Sequence, residues 1–170
     1  LGLLERRTME IAATREVDCC VITGDVTANP RASDVFRRVC SAIRHKDPII
    51  SVLGNSEHKP WLDTKTLIDA LTFDGLKMLI NSSTTIRRGD AKITVVGFDD
   101  PYSRLHDLDA AFNGVDSNDF IICLTHCPSP TPESIERGAD LVLAGHTHGG
   151  QVRFPGIKFF WTHMRRNKIL

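Results

Sequence analysis

The chain alternates between short apolar runs and amphipathic stretches, a pattern that predicts alternating strands and helices. Apolar residues at helical spacing predict helices over residues 3–15, 32–46, 64–71, 105–112 and 132–137. Apolar or alternating runs predict strands over residues 17–23, 49–53, 76–80, 84–88, 91–98, 120–125 and 139–145. The turn at Gly89-Asp90 between two such runs predicts a β-hairpin. These elements indicate an α/β layered domain, and the hairpin indicates either a mixed sheet or two sheets packed together.

Length and charge narrow the class of protein. The 170 residues are expected to form a single domain over 1–170, long enough to bury a sizeable core. The charges of the 21 basic and 21 acidic residues cancel, which argues against nonspecific electrostatic binding of nucleic acid. No apolar run reaches the length of a membrane-spanning helix, and Glu5, Arg6 and Arg7 interrupt any secretory leader.

The cysteines and the C-terminal segment bear on the cellular location of the protein. The five cysteines are odd in number and lack a CxxC pair, which argues against a disulfide framework or a zinc–thiolate site and predicts a cytoplasmic location. Residues 158–170 mix aromatic and basic side chains. This segment fits either peripheral contact with a membrane surface or a further strand and turn of the fold.

Polar residues that could carry chemistry follow the four most apolar predicted strands. In open α/β sheets, the binding crevice lies at the carboxyl ends of the strands. Glycine stands beside the polar residue at three of these ends, as expected where the backbone turns sharply or approaches a ligand. Taken singly, each is more often a turn or a satisfied polar residue, but packing does not explain all four together. The residues are Gly24-Asp25, Gly54-Asn55, His126 and Gly145-His146-Thr147-His148.

The donor atoms of this set favour a metal centre. Asp and Asn supply hard oxygen ligands and His supplies borderline nitrogen, a mixture that suits manganese, iron or zinc rather than calcium or a thiolate-bound metal. More than four donors from separate strands also indicate two metals that share a bridging carboxylate.

These residues resemble the motifs of the calcineurin-like metallophosphoesterase superfamily. The superfamily pattern runs D-x-H, G-D-x-x-D, G-N-H-[DE], a lone histidine after a strand, and G-H-x-H. The string GHTHGGQVRFPG over residues 145–156 is similar to a bacterial branch that includes membrane-associated phosphoesterases and lipid-sugar pyrophosphatases. The resemblance covers most of residues 1–155, and it implies a sandwich of two mixed β-sheets flanked by helices.

The resemblance also implies a dinuclear metal-dependent phosphohydrolase that uses manganese, iron or zinc. In this pattern Asp25 bridges the two metals, His148 holds the first, and the second is held by Asn55, His126 and His146. A metal-activated hydroxide then attacks phosphorus in line with the leaving group. The expected substrate is a phosphomonoester, phosphodiester or pyrophosphate, in a phosphorylated small molecule or a lipid-linked phosphoester.

The chain departs from the superfamily pattern at its first metal site. The D-x-H motif is absent, and the opening Leu1-Gly2 matches residues that often follow it, which predicts a chain truncated just after the motif. A truncation could also affect the C-terminus. The first site then keeps only Asp25 and His148, and its metal affinity is expected to be poor. The second Asp of G-D-x-x-D is also missing, which weakens support around the ligands.

Two residues are candidates for contact with the substrate rather than the metals. Ser56 replaces the histidine that in the superfamily helps to protonate the leaving group, and His58 is the candidate substitute in that catalytic role. A loop histidine of this kind is otherwise simply solvated. Arg153, shortly after the His-x-His loop, is a candidate for binding substrate phosphate, with a plain surface arginine as the alternative.

Two other functions compete with hydrolysis by metals. A cysteine-dependent phosphatase, suggested by His126-Cys127, needs a phosphate loop of backbone donors, and the prolines after the cysteine remove those donors. We reject that function. A catalytically impaired scaffold or binding module on the same fold stays open, because function resides in sites rather than in folds.

Overall fold

The structure is a computed structural model that describes residues 3–14, 16–148, 152–153 and 160–161. Its helices are short. A turn of 3₁₀ helix at Pro30–Ala32 leads directly into the second of them. The helices are α1 (Leu3–Ala13), α2 (Ser33–Ala42), α3 (Thr64–Leu71), α4 (Leu108–Phe112) and α5 (Thr131–Glu136).

The strands form two principal sheets. The strands are β1 (Glu16–Val17), β2 (Val21–Ile22), β3 (Arg44–His45), β4 (Ile49–Ser51), β5 (Leu76–Met78), β6 (Ser82–Arg88), β7 (Ala91–Gly97), β8 (Phe120–Thr125), β9 (Leu141–Ala144), β10 (Val152–Arg153) and β11 (Phe160–Trp161). The smaller sheet has the order β2-β4-β5 with parallel strands, and the larger has the order β6-β7-β8-β9. In the larger sheet β6 and β7 are antiparallel, whereas β7, β8 and β9 are parallel. Separately, β1 pairs with β3 and β10 with β11.

The two sheets pack face to face, and helices cover their outer faces. Alternate residues of a strand point to opposite faces. Because the strands of both sheets are covered on both faces, apolar residues occur on both faces. The cluster between the sheets joins Ile50 of β4 to Val95 and Leu124 of the larger sheet. A second cluster, around Val96 and Phe98, lies beneath α4 on the outer face of the larger sheet. The third cluster is on the outer face of the smaller sheet, beneath α2.

This architecture confirms the predicted α/β fold of two packed sheets with flanking helices. The predicted hairpin is present, with Arg88 opposite Ala91 at its turn. The run predicted as one strand over residues 17–23 is instead two separate strands, β1 and β2. The division is consistent with their partners, because β1 pairs with Arg44–His45 whereas β2 pairs with Ile50 and Ser51.

The C-terminal part of the chain lies partly outside the described residues. Of residues 158–170, the structure describes Phe160–Trp161, which pairs with Val152–Arg153. The rest of that segment and Gly149-Gly150-Gln151 lie outside the described residues, so the choice between a membrane segment and a further strand stays a prediction. Among the helices that are described, none has both the length and the apolar character needed to cross a membrane.

Candidate metal centre

Two tight turns bring the loops after β2 and β4 into direct contact. After β2 the backbone turns through positive φ at Gly24 (79°) and Asp25 (56°). A Cβ at Gly24 would lie 2.6 Å from the Gly54 nitrogen, and a Cβ at Gly54 would lie 2.5 Å from Asp25 Oδ1 and 2.8 Å from His126 Cγ. The glycines predicted to mark sharp turns therefore allow three segments of the chain to meet, and a side chain at either position would force them apart.

Glu57 links these two loops through hydrogen bonds to their backbones. Its side chain is fully buried, and its carboxylate accepts hydrogen bonds from the backbone N–H groups of Gly54 (2.7 Å), Thr27 (3.0 Å) and Asp25 (3.1 Å). Burial raises the pKa of the Glu57 carboxyl, and the backbone hydrogen bonds oppose that rise. One carboxylate thus accepts from backbone N–H groups in segments about 30 residues apart in the sequence.

Asp25 and His126 form the centre of the site. The carboxylate of Asp25 accepts a hydrogen bond from the Ser56 amide at 2.8 Å, and its other oxygen lies 3.3 Å from His126 Nε2. Burial alone would raise the pKa of the Asp25 carboxyl, but the contacts with His126 and Ser56 outweigh it and hold the pKa well below its usual range. For His126 the effect of burial has the opposite sign and lowers the pKa, but the contacts with Asp25 and the Thr23 carbonyl outweigh it and raise the pKa.

The orientation of His126 is fixed by the backbone of β2's loop. Its Nδ1 lies 2.8 Å from the Thr23 carbonyl oxygen. Because a carbonyl can only accept, Nδ1 carries the proton, and Nε2 is directed to Asp25 and, at 3.1 Å, to Nδ1 of His146. This arrangement, with one ring nitrogen donating to a carbonyl, is how metal-binding histidines are usually oriented.

Four of the predicted ligands line one cleft of about 300 Å³. The cleft residues are Asp25, Asn55, Lys59, Tyr102, His146 and His148. The amide oxygen of Asn55 is buried and has no hydrogen-bond partner among the described residues. A buried acceptor without a partner costs about 1–3 kcal/mol, so a bound group that contacts this oxygen would stabilise the protein. A divalent cation, which oxygen and imidazole donors bind well, fits this requirement.

The types of donor atom and their common location suit a cation. In the structure, however, the side chains contact one another: His126 lies against Asp25 and His146. Within the described ranges, no three His, Cys, Asp or Glu side chains are arranged as a ready metal site. Binding of a cation would replace the contacts of His126 with Asp25 and His146. For the predicted first metal, the residues at hand are Asp25 and His148; His148 is exposed and has a φ of 49°.

His58 does not line the cleft but forms a nearly buried pair with Asp99. Its Nε2 donates to Asp99 Oδ1 at 2.6 Å, and the two side chains are 10% and 12% exposed. The bond to Asp99 raises the pKa of His58, against the effect of burial. The structure thus shows a local partner for His58, and its catalytic role stays a prediction.

This pair predicts a pH-dependent contribution to stability. A histidine whose pKa is raised in the folded protein stabilises it fully below the unfolded pKa, and the contribution is lost as the pH rises through the folded pKa. We expect His58→Gln to lower the free energy of unfolding by about 2 kcal/mol near pH 5.5 and by clearly less near pH 9. Urea unfolding at both pH values tests this, with His45→Gln as the control. An equal loss at both pH values would show that the charged pair is unimportant.

Three residues of the site were not identified as functional from the sequence. Glu57 stands in the matched Gly-Asn-Ser-Glu motif, so the motif did carry a signal for it. Lys59 and Tyr102 belong to no motif, and only the structure places them in the cleft. The ring of Tyr102 packs against that of His146, with centroids 5.1 Å apart. The backbone of Arg153 lies in β10, but its side chain is outside the described part of the chain.

Comparison with known proteins gives a consistent set of matches. A family model described as calcineurin-like phosphoesterase matches residues 4–150. An uncharacterized metallophosphoesterase of Aquifex aeolicus is 30% identical over 146 residues, which are 82% of this chain and 54% of the relative. The uncharacterized metallophosphoesterase YkuE of Bacillus subtilis is 28% identical over 81% of this chain and 49% of its own length. The phosphodiesterase YaeI of Escherichia coli is 28% identical over 71% of this chain and 44% of its own length. The chain therefore spans about half the length of the curated relatives it matches.

Proposed function

We propose that this chain, which belongs to the calcineurin-like phosphoesterase family as its motifs predicted, hydrolyses a phosphoester with divalent cations held in the cleft between its strand ends. The family supports phosphoesterase chemistry in general. The observation that best supports a metal in this cleft is the buried amide oxygen of Asn55, which has no partner among the described residues; Asn55 lines the same cleft as Asp25, His146 and His148. Manganese, iron and zinc are the metals that suit this donor set.

The proposed ligands divide between two cations. Asn55, His126 and His146 would hold one, His148 the other, and Asp25 would be shared. When bound, such cations supply positive charge against the phosphate oxygens and lower the pKa of a water that acts as nucleophile. The residues of the chain orient these ligands: the Ser56 amide fixes the Asp25 carboxylate, and the Thr23 carbonyl fixes His126.

The substrate is proposed only by chemical class. A phosphomonoester, a phosphodiester or a pyrophosphate would each present oxygens to cations in the cleft, whether the phosphoester is a small molecule or linked to a lipid. A cytoplasmic location, with or without peripheral contact with a membrane, likewise remains a prediction. A scaffold or binding module is the competing function, and the Ser56 substitution together with the pairing of His58 with Asp99 is what favours it.

Metal removal and restoration test the proposal. We expect the chain to hydrolyse bis(p-nitrophenyl) phosphate with added Mn²⁺, to lose turnover in excess EDTA, and to regain it when Mn²⁺ is restored. Asn55→Ala should lower the affinity for Mn²⁺ about 10- to 100-fold. His45→Gln, a histidine outside the cleft, is the matched control and should behave as the native chain. Mn²⁺ binding without any turnover of mono- or diesters would favour the binding module instead.

A further inference from the structure

Lys59 brings a positive charge to the cleft that the proposed metal ligands do not use. It lines the same cavity as Asp25 and Asn55, and its side chain is half-buried. Among the residues that line this cavity in the described part of the chain, it is the one lysine or arginine. No carboxylate of the described residues forms an ion pair with it. Its charge is therefore available to a ligand.

The backbone around Lys59 is anchored on both sides. Before it, Glu57 is buried and His58 is paired with Asp99. After it, the Lys59 carbonyl accepts a hydrogen bond from the Leu62 amide at 2.9 Å, which closes a turn. The Glu57 carbonyl in turn accepts the hydroxyl of Thr64 at 3.1 Å. Because the stem of the side chain starts from a fixed point, less conformational entropy is lost when its ammonium binds an anion.

The loop that carries Lys59 has a neutral residue, Ser56, at the position where the superfamily pattern has a histidine. Ser56 contributes a hydroxyl at that position, and its amide is engaged by Asp25. A cation three residues further along restores a positive group to the same loop. We propose that Lys59 binds a non-bridging oxygen of the substrate phosphate and favours a phosphate group with two negative charges, as in a monoester or terminal phosphate, over a singly charged diester. This inference rests on the proposed function, since it takes the cleft to be where the phosphoester binds.

The selectivity follows from charge. The Coulomb energy between a fixed cation and an anion is proportional to the charge of the anion, so a dianion gains twice as much from Lys59 as a monoanion at the same distance. An ammonium-to-phosphate bond is also charge-assisted and stronger than a neutral hydrogen bond. Loss of Lys59 should therefore weaken binding of a dianion more than binding of a monoanion.

Binding of two phosphate probes tests this without measuring turnover. At about pH 8.5, inorganic phosphate is a dianion and dimethyl phosphate is a monoanion. With Mn²⁺ present, calorimetric titration should show that Lys59→Met raises the Kd of phosphate about tenfold and that of dimethyl phosphate by clearly less. Lys59→Arg should restore most of the affinity for phosphate. Lys65→Met, which removes the same charge from the exposed surface of α3, should leave both Kd values unchanged.

The outcomes separate this inference from the proposed function. If Lys59→Met leaves both Kd values unchanged or raises them equally, or if the native chain binds neither probe, the inference is wrong even when the chain hydrolyses esters. If phosphate binding depends on Lys59 while the native chain hydrolyses no ester, the proposed hydrolysis is wrong and the anion site stands.

Discussion

Asp25→Ala is expected to lower kcat/KM for bis(p-nitrophenyl) phosphate by about 10²–10³-fold or more. Asp25 is the one carboxylate among the described residues that line the cleft, and in the proposed site both cations share it. Its removal takes away their common ligand and also the partner of His126 at 3.3 Å. Steady-state kinetics with saturating Mn²⁺ measure the effect.

Two further variants separate the charge of Asp25 from its shape. Asp25→Asn keeps the size of the side chain and an oxygen that can accept from the Ser56 amide, so we expect a folded protein that is still strongly impaired. Asp18→Asn removes a charge from an exposed pair with Lys46 and should retain native activity. Activity within a factor of about ten of the native chain in Asp25→Ala would contradict a role for this carboxylate in the reaction.

Glu57→Ala is expected to produce the largest loss of stability. The change removes the acceptor of three backbone N–H groups and leaves a cavity in the site. Each unsatisfied buried donor costs about 1–3 kcal/mol, so we expect a loss of about 4 kcal/mol, against a typical total stability of about 5–15 kcal/mol. Urea unfolding measures it.

The comparison variants for Glu57 test whether the cause is the hydrogen bonds. Glu57→Gln keeps the size and one acceptor oxygen but places an NH₂ group against N–H donors, so we expect an intermediate loss of stability. Asp69→Ala, at an exposed position on α3, should change stability by less than about 0.5 kcal/mol. A Glu57→Ala variant as stable as the Asp69→Ala variant would show that the two loops are held by other contacts.

The main features of the site could be predicted because they follow from local rules. Glycine beside a polar residue at the end of an apolar run identified Asp25 and Asn55, and the structure places both on the cleft. The lone histidine after β8 has no neighbouring glycine and was identified by its position at the end of an apolar run; it contacts Asp25 across about 100 residues of sequence. Within each sheet, parallel strands place their carboxyl ends at one edge, and the packing of the two sheets brings the edge after β2 next to the edge after β8.

What could not be predicted depends on distances between segments. The sequence shows that Glu57 follows Asn55, but not that its carboxylate reaches the amides of Thr27 and Asp25. The pairing of His58 with Asp99 joins residues 41 positions apart, and no periodicity indicates it. Lys59 belongs to no motif or pattern, and only the structure places it in the cleft.

The most direct test of the central claim is a crystal structure of the protein with bound Mn²⁺, read from its anomalous scattering. We predict an anomalous peak within coordination distance of the Asp25 carboxylate, Asn55 Oδ1 and His126 Nε2, with His126 Nδ1 still donating to the Thr23 carbonyl. A protein saturated with Mn²⁺ whose anomalous peaks lie away from these side chains would contradict the claim.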